Sequence, residues 1–319
     1  MNFSNERIPV HKKNAPKIAV DVKSGKDARI LRIRDPFILP YDGRYYLYKG
    51  AYADTLSECA VECLVSEDLV HWSDPVRVFA PTEGFHGEGD FFWAPECHYH
   101  EGYFYLFTSV RSKVYGGHRV VSVYRADNPL GPFEDIANGC VTPSDWDAID
   151  GTLYLDKSGA PWLVFVHEWT CMPDHYGTMV AARLAPDFTH LISEPIFLFS
   201  SRDPAWANSH VTDGPFPYRL EDGSLCMIWS NFTEKGYAIG IARSQSGEID
   251  GKWVQEGLLY QKDLRPAFLR DGGHGMIFRA FDGTVKIAFH SPNVPSAKAG
   301  EERLVVRSLV EKNGTIEIE

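Results

Sequence analysis

The sequence predicts an all-β fold, a five-bladed β-propeller with four antiparallel strands in each blade. Three observations predict it. A stretch of similar form recurs five times at intervals of roughly 60 residues, as a radial or solenoid array requires. Short aromatic and β-branched runs are separated by hairpin turns at Asp42-Gly43, Ser158-Gly159, Asp222-Gly223 and Asp282-Gly283. No apolar stripe of helical period persists beyond a turn or two.

Residues 1–27 are polar and are expected to form an N-terminal arm or an extra edge strand; residues 28–319 are expected to form a single propeller domain. Blade one opens at Asp35-Pro36-Phe37 and runs into DGRYYLYKG, and blade two at Pro95-Glu96-Cys97 into EGYFYLFTS. Blade three opens at Asp150-Gly151-Thr152 and runs into SGAPWLVFVHEW, and blade four at Asp213-Gly214-Pro215 into DGSLCMIWSNF. Blade five opens at His274-Gly275-Met276 and runs into DGTVKIAFHSPN. These stretches supply two strands each. A second series, beginning near Val61, Val120, Met179, Tyr237 and Arg303, supplies the outer two. A β-sandwich is the alternative, but it leaves unexplained a chemically distinctive residue at the same phase of every repeat.

The 319 residues are 44% hydrophobic and 24% charged, the composition of a globular chain. A net charge of -11 disfavours nucleic acid as a partner, since that needs a basic footprint. No run approaches the ~18 apolar residues of a membrane helix. The first residues lack an apolar signal-peptide core, so a cytoplasmic protein is expected. Six scattered cysteines fit free thiols in a reducing compartment. The Cys59 and Cys63 pair lacks the second pair that a zinc site would need.

In a blade, the start of the innermost strand and the end of the second share one face. Asp35, Glu96, Asp150, Asp213 and His274 open the repeats, and Lys49, Ser109, Glu168, Asn231 and His290 end the second strands. A funnel floored by acids and walled by Trp93, Trp146, Trp169, Trp206 and Trp229 suits a sugar, whose C–H faces stack on aromatics while its hydroxyls pair with carboxylates. A lone Asp before Pro or Gly is commonly a turn residue. Three crowded round an axis repel one another, and such crowding is tolerated mainly where the perturbed pKa values are used.

Ile33-Arg34-Asp35-Pro36, Trp93-Ala94-Pro95-Glu96, Ile149-Asp150-Gly151, Thr212-Asp213-Gly214-Pro215 and Gly273-His274-Gly275 together resemble glycoside hydrolase family 43. The resemblance runs over nearly the whole chain after residue 28. It implies a five-bladed propeller that hydrolyses arabinose- or xylose-containing glycans with inversion. By that resemblance Asp35 is the general base, Asp150 raises the pKa of the acid and holds it, and Asp213 is the general acid. His274 matches a residue at the channel centre that supports a structural calcium ion through water; no organic cofactor is implied. Where the family pattern usually has Glu before Gly-Pro, this chain has Asp213, one methylene shorter. Glu168 ends the second strand of the Asp150 blade and is the other candidate acid. Glu96 resembles a residue of the substrate pocket, with a structural bond to a neighbouring blade as the alternative, and Trp93, Trp169 and His290 are expected beside it.

The expected partner is a small oligosaccharide or glycoside, with neither nucleic acid nor membrane, and the oligomeric state is open. The lack of an appended β-sandwich points towards α-L-arabinofuranosyl substrates. Two alternatives fit the sequence less well. A five-bladed fructosidase would take its nucleophile from an Asn-Asp-Pro motif that this chain lacks. A sugar binder on a degenerate scaffold has no use for a base opposite an acid.

Overall fold

In the computed structural model, residues 20, 22, 25–28, 31–51, 59–87, 92–294 and 301–319 are described. The blades follow one another along the chain. Blade I comprises β2 (Phe37–Tyr41), β3 (Arg44–Gly50), β4 (Val61–Ser66) and β6 (Val76–Phe79). Blade II comprises β7 (Trp93–His100), β8 (Tyr103–Arg111), β9 (Arg119–Ala126) and β10 (Glu134–Asp135). Blade III comprises β11 (Ala148–Leu155), β12 (Pro161–His167), β13 (Thr178–Arg183) and β14 (Ile196–Ser200). Blade IV comprises β15 (Asp213–Arg219), β16 (Leu225–Thr233), β17 (Gly236–Ser244) and β18 (Trp253–Tyr260). Blade V comprises β19 (Gly273–Arg279), β20 (Val285–Ser291), β21 (Arg303–Lys312) and β22 (Thr315–Ile318). Each is an antiparallel sheet whose strands pair in chain order, and a two-residue pair, β1 (Lys26–Asp27) with β5 (His71–Trp72), flanks blade I. The arm expected over residues 1–27 falls mostly outside the described residues.

The turn chemistry explains the hairpins. Asp42 and Gly43 both take positive φ (45° and 78°) between the paired residues Tyr41 and Arg44. That is the two-residue turn whose twist matches the flanking strands.

The core lies between the blades, because each sheet buries both faces against its neighbours. Tyr48, Phe104 and Tyr124 fill the space beside blades I and II, and Phe107, Phe165 and Phe188 that between II and III. Trp162, Trp229 and Trp253 pack between III and IV, and Ile228, Ile277 and Phe289 between IV and V. Burying a large side chain is worth about 1.5–3 kcal/mol, so these seams hold the ring shut.

The innermost strands touch in sequence, β2 to β7, β11, β15, β19 and back to β2. Closure also uses the segment before β2. Arg32 bridges to Arg303, and the Ile33 N–H donates to the Glu302 carbonyl at 3.2 Å. Glu302, 1% exposed, lies 3.5 Å from the Arg34 guanidinium. The closing clasp therefore delivers Arg34 and Asp35 to the axis.

Candidate active site

Four innermost strands carry the same irregularity near their start. Their register with the second strand jumps between Trp93 and Glu96, Ile149 and Thr152, Asp213 and Phe216, and Gly273 and Met276. Inside each bulge one residue takes positive φ: Ala94 (42°), Asp150 (56°), Gly214 (53°) and His274 (51°). Asp35, φ 48°, takes the matching place in blade I. A bulge re-aims side chains, and here it turns them towards the axis.

Left-handed backbone at a non-glycine residue costs of order 1–3 kcal/mol and persists where its surroundings over-determine it. The surroundings do so with a repeated device. The Asp150 N–H donates to Ser109 Oγ at 2.9 Å, the His274 N–H to Ser230 Oγ at 2.8 Å and the Asp35 N–H to His290 Nδ1 at 3.2 Å. Each acceptor stands near the end of the second strand of the preceding blade, opposite Trp93, Asp213 and Gly273 respectively. Blade III has Val166 at that place, opposite Ile149, and there the Gly214 N–H donates instead to Asp150 Oδ2 at 3.0 Å.

The repeat openings read from sequence therefore need a shift of phase in two blades. Asp35, Asp150 and His274 share a position, but Asp213 stands one residue before it and Glu96 two residues after. Glu96 is 8% exposed and its carboxylate meets His98 Nε2 at 3.0 Å, a contact within its own strand. Blade IV ends its second strand with Ser230 in the useful place, while the Asn231 amide donates to the Ser209 carbonyl at 3.2 Å. Lys49 is held by Glu62 at 2.5 Å.

Three carboxylates and one imidazole meet on the axis. His274 Nδ1 lies 3.2 Å from Asp35 Oδ1 and 3.8 Å from Asp150 Oδ2. Asp35 also has Arg34 Nε at 3.7 Å and His290 Nδ1 at 3.3 Å. Since His290 Nδ1 accepts the Asp35 N–H, the neutral tautomer with its hydrogen on Nε2, facing Asn293 Oδ1 at 3.2 Å, satisfies both contacts. The Tyr237 hydroxyl donates to Asp213 Oδ2 at 2.8 Å.

These neighbours divide the acids by protonation. Burial pushes Asp35 up, but the His274 and Arg34 charges beside it outweigh burial and hold Asp35 well below the usual carboxylate range. Asp150 is raised, by burial first and by Asp35, against the pull of His274. Asp213 is pushed up to about 7 by burial and then by the Asp150 charge, with His274 and the Tyr237 hydrogen bond opposing. Burial lowers the His274 pKa, yet Asp35, Asp150 and Asp213 together carry it above the ordinary histidine value. The site thus pairs one firmly ionised carboxylate, Asp35, with one, Asp213, that gives up its proton only near neutral pH.

Glu168 lies outside this group. It is 7% exposed and accepts from Thr170 Oγ1 at 3.0 Å, and that hydroxyl also approaches Asp147 Oδ2 at 2.7 Å. Burial raises its pKa, with Thr170 opposing. His290, expected as a substrate contact, is fully buried and supports Asp35 instead. Trp93 is half-buried with the Arg119 guanidinium 3.3 Å above its ring, and Trp169 is half-buried 5.1 Å from the His210 ring. Of the other tryptophans, Trp146 stacks on His167 at 3.7 Å, whereas Trp229 is a core residue and Trp206 packs against it. Tyr237 and Arg34 were missed as site residues, although Arg34 lay inside a motif already singled out.

The calcium expectation at His274 meets a donor set that does not suit it. Calcium takes six to eight oxygen ligands, but the His274 ring offers a nitrogen, and its Nδ1 already faces the Asp35 and Asp150 carboxylates. Among the described residues no group of three or more His, Cys, Asp or Glu side chains could hold a metal ion.

The fold and the axial acids invite comparison with known proteins, and the sequence profile of glycosyl hydrolases family 43 matches residues 30–316. The chain belongs to that family. It is a glycoside hydrolase on a family 43 propeller. It is 37% identical to a solved endo-arabinase from Bacteroides thetaiotaomicron VPI-5482, covering 91% of this chain and 99% of that one, with a TM-score of 0.78. An endo-1,4-beta-xylanase structure from the same organism is 26% identical, covering 92% of this chain and 96% of that one, with a TM-score of 0.75. Among curated proteins, the extracellular exo-alpha-(1->5)-L-arabinofuranosidase ArbA of Cellvibrio japonicus (strain Ueda107) is 29% identical over 253 residues, 72% of this chain and 68% of that protein. That relative overturns the cytoplasmic expectation: it is extracellular, and the polar first residues carry no information against export.

Proposed function

We propose that this family 43 enzyme hydrolyses α-L-arabinofuranosyl linkages with inversion, using Asp35 as general base, Asp213 as general acid and Asp150 to tune and hold the acid. The observation that carries the reading is the split between two carboxylates of one site. His274 and Arg34 keep Asp35 ionised, while burial and Asp150 keep a proton on Asp213 up to about 7. Inversion needs that pair: an ionised group that takes a proton from water, and a protonated one that gives its proton to the departing oxygen. In the step, the water oxygen bonds to the anomeric carbon as the glycosidic C–O bond breaks. The water proton passes to Asp35, and the Asp213 proton passes to the leaving oxygen. The Gly214 N–H to Asp150 bond ties the acid's strand to its neighbour. The arabinan-directed names of two relatives favour arabinofuranosyl over xylosyl substrates.

Glu168 is the second reading for the acid, favoured by its burial and raised pKa. Release of nitrophenol from aryl α-L-arabinofuranoside and aryl β-D-xyloside, beside hydrolysis of arabinobiose, separates these readings. Asp35→Asn should abolish turnover of every substrate. Asp213→Asn should lose arabinobiose hydrolysis far more than aryl glycoside hydrolysis, because a good leaving group needs little protonation. The same pattern from Glu168→Gln, with Asp213→Asn near wild type, would move the acid to Glu168. Proton NMR of the first-formed anomer tests inversion. Turnover of the xyloside alone would replace the substrate class.

A further inference from the structure

We propose that Tyr237 is the positioning residue for Asp213, fixing one carboxyl oxygen so that the proton resides on the other and faces the leaving group. The inference rests on the reading of Asp213 as the acid. A short Asp side chain has a broad, nearly two-fold terminal torsion, so its proton has no preferred oxygen unless a neighbour creates one. Tyr237 creates it: its hydroxyl donates to Asp213 Oδ2 at 2.8 Å, leaving Oδ1 for the proton. Burial, followed by Asp213 and Asp35, raises the Tyr237 pKa well above that of an ordinary phenol, so the hydroxyl stays a donor.

The ring is held on several sides. It is 2% exposed and lies nearly parallel to the His290 ring, with centroids 5.7 Å apart and planes 23° apart. A Cβ on Gly273 would sit 2.5 Å from a Tyr237 ring carbon, so the absent side chain there leaves the ring its space. The Tyr237 N–H donates to Asp271 Oδ2 at 3.1 Å, and its carbonyl accepts the Gly272 N–H at 3.1 Å. Since the His290 ring that Tyr237 stacks on also accepts the Asp35 N–H, one packed unit supports both carboxylates.

The charged and titratable groups around Asp213 are Asp150 on β11, His274 on β19, Asp35 and Arg34 ahead of β2, and Tyr237 on β17. Of these, Tyr237 supplies the side-chain hydrogen bond that favours the ionised carboxylate. Its removal therefore raises the Asp213 pKa as well as freeing the carboxyl to rotate.

The test compares wild type, Tyr237→Phe, Asp213→Asn and Glu168→Gln on arabinobiose and 4-nitrophenyl α-L-arabinofuranoside. Tyr237→Phe should lower kcat on arabinobiose by about 10- to 100-fold, the scale of a misplaced catalytic group. KM and aryl glycoside turnover should change little, and the alkaline limb of kcat/KM should move to higher pH. Equal losses on both substrates with an unmoved limb would reduce Tyr237 to a packing role, and wild-type behaviour would remove the role altogether. Should Tyr237→Phe fold poorly, the infrared band of the protonated Asp213 carboxyl, assigned by its loss in Asp213→Asn, is followed at temperatures below the melt. Its titration must still shift upward. If Asp213→Asn keeps arabinobiose activity while Glu168→Gln loses it, the underlying assignment of the acid has failed, whatever Tyr237→Phe does.

Discussion

Gly214 and Asp150 are joined across the seam between blades III and IV: the Gly214 N–H donates to Asp150 Oδ2 at 3.0 Å. The neighbouring residue on β15, Asp213, thereby comes under the Asp150 charge, which contributes to its raised pKa. One hydrogen bond links the position of the proposed acid to its protonation.

Gly214 is required at that point on two grounds. Its φ is 53°, and an added Cβ would lie 2.8 Å from His274 Cδ2 and 2.9 Å from Cγ. The His274 ring cannot yield cheaply, since Asp35 and Asp150 hold it. Gly214→Ala should therefore destabilise the fold by about 1–3 kcal/mol and lower kcat by roughly 100-fold. Thermal melts and arabinobiose kinetics check this, and an alanine variant with both properties intact would show that the fastening is dispensable.

The pH dependence of catalysis follows from the same contacts. If Asp213 is the general acid, as proposed, it must hold its proton, so kcat/KM should fall as pH rises through about 7. Asp35, as the proposed base, must be ionised, and its depressed pKa places the acid limb below the usual carboxylate range. A bell whose acid limb lies near neutrality would instead assign the base to a group without His274 beside it.

Much of this was legible in the sequence, for physical reasons. Asp-Gly turns and β-branched runs specify hairpins locally, so the five blades and their boundaries could be read directly. The convergence of Asp35, Asp150 and Asp213 followed from ring geometry alone. The bulge phase was not legible. Asp213 precedes its left-handed residue and Glu96 follows its own, and only the register with β16 and β8 reveals the slip. Tyr237 was equally hidden, because it reaches Asp213 from the start of β17, a strand whose pattern resembles any other third strand. His290 was read as a substrate contact because it ends a second strand, yet the same geometry aims its ring at the Asp35 N–H.

Metal removal addresses the calcium expectation. With His274 engaged by Asp35 and Asp150, chelation should leave melting temperature and activity unchanged. A bound ion at ~100 times its Kd would contribute about 2.7 kcal/mol, a loss of roughly 5 °C for a chain of this size. A drop of that order, reversed by added calcium, would show that water and backbone oxygens complete a site that side chains alone do not.

Stability should carry the signature of the raised Asp213 pKa. The Asp213 carboxyl has an ordinary value of 3.8 and a folded value of about 7, so between these the native state holds a proton that the unfolded chain has lost. Stability then falls with rising pH across that window, because the slope follows the difference in bound protons between unfolded and native states. The contribution is fully present below about pH 4 and is lost as pH passes about 7. Asp35 acts in the opposite sense, since its depressed pKa adds stability above the ordinary carboxylate value that is lost in acid. Asp213→Asn removes the first dependence and leaves the second. The melting temperature of the variant relative to wild type should therefore rise between pH 5 and pH 8, by about 2 °C for each kcal/mol of ionisation cost removed. The absolute offset between the proteins also includes the altered hydrogen bond to Tyr237, so the slope with pH is the informative quantity. Parallel curves would mean that Asp213 is already ionised in the folded protein, and the acid would then have to be sought at Glu168.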